Sequence, residues 1–363
     1  MIVANRRAAP LLAAAAAAGL LALQAPPAQA EKFQITNLVS DGFVPAPTVD
    51  PSLINPWGIS YGPGGPFWVS DNNGGVSTLY DGSGGKVALT VAIPPPAGKT
   101  GAGTPTGTVF NGSTGFKVTA NGQTGASVFL FATEDGTIAG WAPSVDGTNA
   151  ILAVDNSASL AVYKGLAIGT KGNADFLYAT NFRAGDVEMY NSKFKLVKVF
   201  TDPTVPAGFA PFNVQNLGGT LYVTFAKQDH SKHDSKAGPG LGFVDAFSLA
   251  GVFERRVASR GPLNAPWGLD IAPAGFGSFA GDLLVGNFGD GWINAFNPTT
   301  GAYVGALVGA NGYPIVLGDL WGLINGNGGA NGDPNTVYFT AGLQQEAHGL
   351  FGALSLIPGS AAR

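Results

Sequence analysis

PWGLD, residues 266–270, has five counterparts along this chain: PWGIS at 56–60, PTGTV at 105–109, YKGLA at 163–167, PFNVQ at 211–215 and LWGLI at 320–324. A proline or apolar residue comes first, a small residue follows, and a β-branched or leucine step comes next. The anchors Gly58, Gly107, Gly165, Asn213, Gly268 and Gly322 recur every 48 to 58 residues. Self-similarity at that period is the mark of a repeat architecture.

Each phrase is followed by a second apolar run: FWVS (67–70), VFLFAT (128–133), FLYAT (176–180), LYVTF (221–225), DLLVG (282–286) and TVYFT (336–340). After a polar or glycine-rich turn comes a third: VSTLY (76–80), TIAGW (137–141), DVEMY (186–190), FVDAF (243–247), WINAF (292–296) and GLFGAL (349–354). Five repeats have a fourth run: VALTVAI (87–93), AILAV (150–154), LVKVF (196–200), VFERRV (252–257) and AYVGALV (302–308). Four short strands repeated six times predict an all-β, six-bladed β-propeller. The sixth repeat lacks its fourth strand, while FQITNLVS (33–40) stands unassigned before the first. That N-terminal strand is predicted to complete blade six and remove an exposed sheet edge.

Residues 1–30 carry Arg6 and Arg7, then an apolar stretch from Leu11 to Leu23, then Ala28-Gln29-Ala30. This is the pattern of a signal peptide cleaved before Glu31, and it implies a secreted or periplasmic protein. The apolar stretch is short for a membrane span, which needs ~20 residues. The expected organisation is a signal peptide at 1–30, one propeller domain at 31–357 and a tail at 358–363. The chain has 55 glycines, 25 prolines, no cysteine and only 12% charged residues. Stability must therefore come from packing and hydrogen bonds, without disulfides. A net charge of −4 with no basic cluster argues against nucleic acid as a partner. The expected partner is a small molecule, a glycan or a protein. The mature chain is expected to have no membrane span and to be a monomer.

Several longer stretches carry a family resemblance: SRGPLNAPWGL (259–269), GDLLVGNFGDGWINAFNPTTG (281–301), DPNTVYFTAG (333–342), AKQDHSKHD (226–234) and EAHGLFG (346–352). In them the chain resembles an uncharacterised family of exported bacterial propellers grouped with PEP-CTERM proteins and related to NHL-repeat propellers. The resemblance implies a propeller and export, and no established activity. The PEP motif, apolar span and basic tail that often end such proteins do not precede Arg363.

In an up-and-down blade, the loops joining strands two and three share a face with those leading to the next blade. This face is where function is expected. Asp71, Glu134, Asn181 and Asn287 all follow a second strand, and four oxygen donors at one repeat position suit a hard cation such as Ca²⁺. Turn formation by Asp and Asn is the plainer alternative. QDHSKHD (228–234) lies in the loop 227–241 of blade four and offers His230, His233, Asp229 and Asp234. His348 and Glu346 belong to the corresponding loop of blade six. With Glu346 or His348, the blade-four residues form a candidate Zn²⁺ set. His233 and His348 are also candidate proton-transfer residues. Arg183 is a candidate anion clamp, and Asp290 a candidate ligand contact on the same face. Gly58-Ile-Ser60-Tyr-Gly62 fits G-x-S-x-G, but Ser60 ends an inner strand where a nucleophile elbow needs a strand–turn–helix. Trp57, Trp267 and Trp321 recur in the inner-strand phrase and are expected to pack. The leading expectation is a binding or scaffold protein using this face. The alternative is a Ca- or Zn-assisted hydrolase, lactonase or lyase on the same face.

Overall fold

The computed structural model describes residues 31–360. The expected signal peptide, residues 1–30, lies outside them. The described residues form six four-stranded antiparallel blades around one axis. The inner strands are Pro56–Tyr61, Pro105–Phe110, Tyr163–Lys171, Phe209–Leu217, Pro266–Ile271 and Leu320–Asn325. They are the six copies of the repeated phrase. Among the described residues no helix is long and apolar enough to cross a membrane.

The small anchor residues follow from crowding at the axis. A Cβ on Gly58 would lie 2.4 Å from the Thr106 carbonyl oxygen, and one on Gly107 would lie 2.4 Å from the Leu166 amide nitrogen. Each anchor thus touches the inner strand of the next blade, and a side chain there meets backbone that cannot yield. The exception, Asn213, uses its side chain to donate to the Trp267 carbonyl in blade five, at 2.7 Å. Inner-strand register shifts beside each anchor. In three blades a threonine on strand two satisfies an anchor N–H there: Thr180 for Gly165, Thr224 for Asn213 and Thr340 for Gly322.

Blade six closes as the unassigned N-terminal run predicts. Its order is Leu320–Asn325, Val337–Ala341, Leu350–Leu356 and then Lys32–Ser40. The last two pair antiparallel from Phe33↔Leu356 to Ser40↔Leu350. Phe33 is buried against Phe276 and Phe279 of blade five, with ring centroids 4.9 and 5.9 Å away. Leu38 and Val39 are buried with Ile59, Phe67 and Val69 of blade one. One nine-residue strand therefore ties the last blade to both its neighbours, and the ladder needs no disulfide.

The core lies between blades, as wedges of side chains from facing sheets. Val109, Leu130, Tyr163 and Leu177 form one such wedge between blades two and three. A hairpin, Lys117–Ala120 with Gln123–Ala126, is inserted between the first two strands of blade two. The repeat pattern gives no sign of it.

Candidate functional site

The residue just before each anchor forms a ring at the N-terminal ends of the inner strands: Trp57, Thr106, Lys164, Phe212, Trp267 and Trp321. Three indoles and a phenyl ring close this end of the axis. Trp57 and Trp321 stack at 3.4 Å, and Trp267 meets both edge-on. Lys164 is the only charge in the ring and is 1% exposed. Its ammonium donates to Glu134 and, at 3.3 Å, to Asp234. It also lies 4.9 Å from the centre of the Trp57 ring, a cation–π distance.

An arc of hydrogen bonds runs around this mouth. Trp321 Nε1 donates to Asn55 Oδ1 at 3.0 Å. Asn55 Nδ2 donates to Glu346 Oε2 at 3.2 Å and faces Asn72 Oδ1 at 3.4 Å. Asn72 Nδ2 donates to Glu134 Oε2 at 2.9 Å. Lys164 then links Glu134 to Asp234, and Asp234 Oδ1 pairs with His233 Nδ1 at 2.9 Å. Every blade except the fifth contributes to the arc.

Register decides which expected residues reach it. Counting from the anchors, Asp71, Asn181 and Asn287 are equivalent to Thr133, and Glu134 stands one position further on. A one-residue step along a strand turns the side chain to the other face. Glu134 therefore shares its slot with Asn72, Phe182, Ala226, Phe288 and Gly342, and points to the mouth. The other three hold loops within their own blades and do not join Glu134. Asp71 accepts from Thr78 Oγ1 at 2.7 Å, and burial pushes its carboxyl well above the usual range. Asn181 donates to Glu188 at 2.8 Å. Asn287 donates to the Pro262 carbonyl at 2.8 Å and to Asp290 at 3.0 Å. Asp290 also takes hydrogen bonds from Asn264 and the Trp292 N–H, so it organises a turn of blade five.

The blade-four loop is more ordered than its composition implies. Strand two runs on to Gln228, and Ser235–Lys236 pairs back onto it. Asp229 sits inside the resulting hairpin, where its Oδ1 accepts from the N–H groups of His233 and Asp234. Arg183 donates to the Ser231 carbonyl at 3.0 Å and braces the tip. His230 is exposed and belongs to no cluster among the described residues; His233 is turned toward Asp234 and Glu134.

His348 does not meet His233. It pairs with Asp41 Oδ2 at 2.6 Å and stacks on Phe43 at 4.0 Å, under the segment that follows the N-terminal strand. Glu346 is the residue of that loop that reaches the mouth. Gln344, Gln345 and Glu346 all have left-handed backbone, with φ of 58°, 58° and 67°. Each such residue costs roughly 1–2 kcal/mol. The turn is held where Asp319 Oδ2 accepts the Gln345 N–H at 2.8 Å and Asn73 Nδ2 donates to the Glu346 carbonyl at 2.8 Å.

The electrostatics follow from this crowding. Burial, followed by the Glu134 carboxylate, pushes Glu346 up to about 7. The His233 hydrogen bond is the main cause that holds Asp234 down to about 2, and the same bond raises His233 above its ordinary value. The site thus holds a carboxyl that exchanges protons near neutral pH beside an imidazole–carboxylate pair. Donor atoms of Glu134, His233 and Asp234 lie within 4.8 Å of one another. The Lys164 ammonium already occupies the space a cation would take on the two carboxylates.

Lys164 and the asparagine arc are absent from the residues singled out on sequence alone. The signal for Lys164 lies in the phrase itself: YKGLA places a lysine where three other phrases carry tryptophan. Asn55 and Asn72 give no comparable signal, because asparagine is common in turns.

No family model matches the chain. It is 32% identical over 331 residues to "Uncharacterized protein R648" of Acanthamoeba polyphaga mimivirus, which covers 89% of this chain and 80% of the relative. "Uncharacterized protein L690" of the same virus is 32% identical over 332 residues, covering 89% and 85%. Among solved structures, a structural genomics protein of unknown function from Bacteroides thetaiotaomicron aligns over 90% of this chain and 76% of its own, with a TM-score of 0.55 and 11% identity. That likeness concerns the fold alone. The two viral relatives each match over 89% of this chain, and this chain, itself a β-propeller, belongs to their family.

Proposed function

We propose that this is an exported, monomeric binding protein whose axial mouth, centred on Lys164, takes a small polar ligand. The reading rests on one observation: a lysine 1% exposed in a ring otherwise made of Trp, Phe and Thr. Withdrawing the Lys164 ammonium and the Glu134 carboxylate from water costs several kcal/mol per ion, and an apolar residue of similar volume often serves stability as well or better. Recognition gives the ion pair a purpose that packing does not. Lys164 fixes Glu134 and Asp234, and His233, Asp234, Asn73 and Glu346 present donors and acceptors to solvent around them. The export component rests on the pattern in residues 1–30, and the family resemblance to exported propellers agrees with it.

The test is a thermal-shift screen at pH 7 with monosaccharides, amino acids, polyamines and nucleotides. At least one compound should raise the melting temperature of the native protein by several degrees and fail to do so with His233→Ala or Asp234→Asn. A flat panel, or a shift indifferent to both substitutions, would contradict the proposal.

A second reading, metal-assisted hydrolase, lactonase or lyase chemistry, draws on the close approach of Glu134, His233 and Asp234. It requires a divalent cation to share two carboxylates with an ammonium. Stoichiometric Zn²⁺ or Ca²⁺ binding that survives in Lys164→Met and is lost in His233→Ala would favour it over the first.

A further inference from the structure

The other end of the axis is built differently. The residues two positions past each anchor are Ser60, Val109, Ala167, Gln215, Asp270 and Ile324, and all six line a cavity of about 340 Å³. It opens between the C-terminal halves of the six inner strands, beyond the tryptophan plug and away from the Lys164 mouth. Its wall includes Ile59, Phe110, Leu269 and Leu323, and Asp270 is its only acidic residue.

Asp270 is 7% exposed. Its Oδ1 accepts from the Ile271 N–H at 2.8 Å, the Asn325 N–H faces the carboxyl from the next inner strand, and Oδ2 is buried with no partner at hydrogen-bond geometry. Next to it, on the inner strand of blade six, Asn325 commits its Nδ2 to the Ile271 carbonyl at 2.7 Å, and its Oδ1 is also without a partner. Two unpaired acceptors therefore stand on adjacent strands. Of the cavity's lining residues, these two alone carry buried polar atoms without partners. A buried acceptor left alone is destabilising, and more so for a charged group. What relieves it is a donor, and the apolar wall leaves room for a hydrocarbon body behind that donor. A volume of this size is at the low end of the usual range for small-molecule sites, roughly 300–1,000 Å³.

We propose that this cavity binds a small organic ammonium ligand with an apolar body, its N–H groups shared between Asp270 and Asn325. Burial pushes the Asp270 carboxyl up to about 7, so without a ligand it exchanges its proton near neutral pH. Tyr61 is the other titratable group facing it; burial and the Asp270 charge hold Tyr61 up to about 12, protonated throughout the neutral range. Binding of an ammonium favours the Asp270 carboxylate, so affinity rises with pH and binding releases a proton at pH 7.

Phenethylamine and its neutral isostere 2-phenylethanol are suitable probes for isothermal titration of the whole chain. Phenethylamine should bind about tenfold tighter at pH 8 than at pH 6, and 2-phenylethanol should bind weakly at both. Asp270→Asn should abolish amine binding, and Glu346→Gln, at the opposite mouth, should leave it unchanged. Ala167→Leu fills the cavity without touching the acid and should abolish binding too, which keeps the test decisive if Asp270→Asn folds poorly. Failure of phenethylamine to bind, equal binding of amine and alcohol, binding that survives both substitutions, or a site that takes Ca²⁺ and not the amine would each overturn the proposal.

Discussion

Lys164 of blade three donates its ammonium to Glu134 of blade two, above the face of Trp57 in blade one. Three consecutive blades are thus joined at the axis through one buried charge. The same ammonium reaches Asp234 in blade four. Truncating either partner of a buried pair leaves the other uncompensated, at a cost of roughly 3–5 kcal/mol. The exposed Asp234 contact contributes far less, because water screens it.

The closing strand is the clearest determinant of stability. Phe33 packs on two phenyl rings of blade five. Phe33→Ala should destabilise the protein by about 3–5 kcal/mol in urea unfolding. Deleting residues 31–40 should lower the melting temperature much further, because it also exposes the Leu350–Leu356 edge.

Gly107→Ala tests the crowding that explains the repeat. The added methyl meets Leu166 backbone at 2.4 Å. A loss of roughly 1–3 kcal/mol is expected from overpacking, with strand separation at the axis. The same substitution at Gly172, where a Cβ has nothing within 4 Å, is strained only by its φ of 61° and should cost less.

The fold was largely legible because crowding and pairing leave periodic marks. The anchor glycines, the β-branched runs and the spare strand at 33–40 specify six blades and their closure. The site was less legible for two reasons. Glu134 reads as the equivalent of Asp71, yet the residue that aligns with Asp71 is Thr133, and one step along a strand reverses the direction of a side chain. His348 and Glu346 both read as site residues, but only Glu346 reaches the mouth, through a left-handed turn over Gln344, Gln345 and Glu346 for which the sequence QQE shows no preference.

Glu346 gives a signed pH dependence. Its pKa rises from an ordinary 4.5 to about 7 on folding, mainly through burial. Between those values the folded state binds more protons than the unfolded state, so stability falls as pH rises across that window. Comparing native protein with Glu346→Gln at pH 5 and pH 8 should show the native form losing roughly 1–3 kcal/mol more on going to pH 8. An identical pH response in both would mean that Glu346 is solvated.

The His233–Asp234 dyad has the opposite pattern at its acid end. Asp234 is depressed to about 2, so its contribution is present above the ordinary carboxylate range near 4 and is lost as pH falls toward 2. His233 is raised, so its contribution is complete below its ordinary value and is lost as pH climbs through the folded one. Proton NMR of the imidazole should report a raised pKa in the native protein and a return toward about 6.5 in Asp234→Asn. No change in that variant would place His233 outside the dyad in solution.

The role assigned to Lys164 is decided most directly by replacing the whole buried pair. Lys164→Met with Glu134→Leu removes both charges and keeps the volume, so neither is left uncompensated. The melting temperature of this double variant should equal or exceed that of the native protein, while the shift produced by the screening ligand disappears. A lower melting temperature with an intact ligand-induced shift would show that the pair serves the fold and that recognition lies elsewhere.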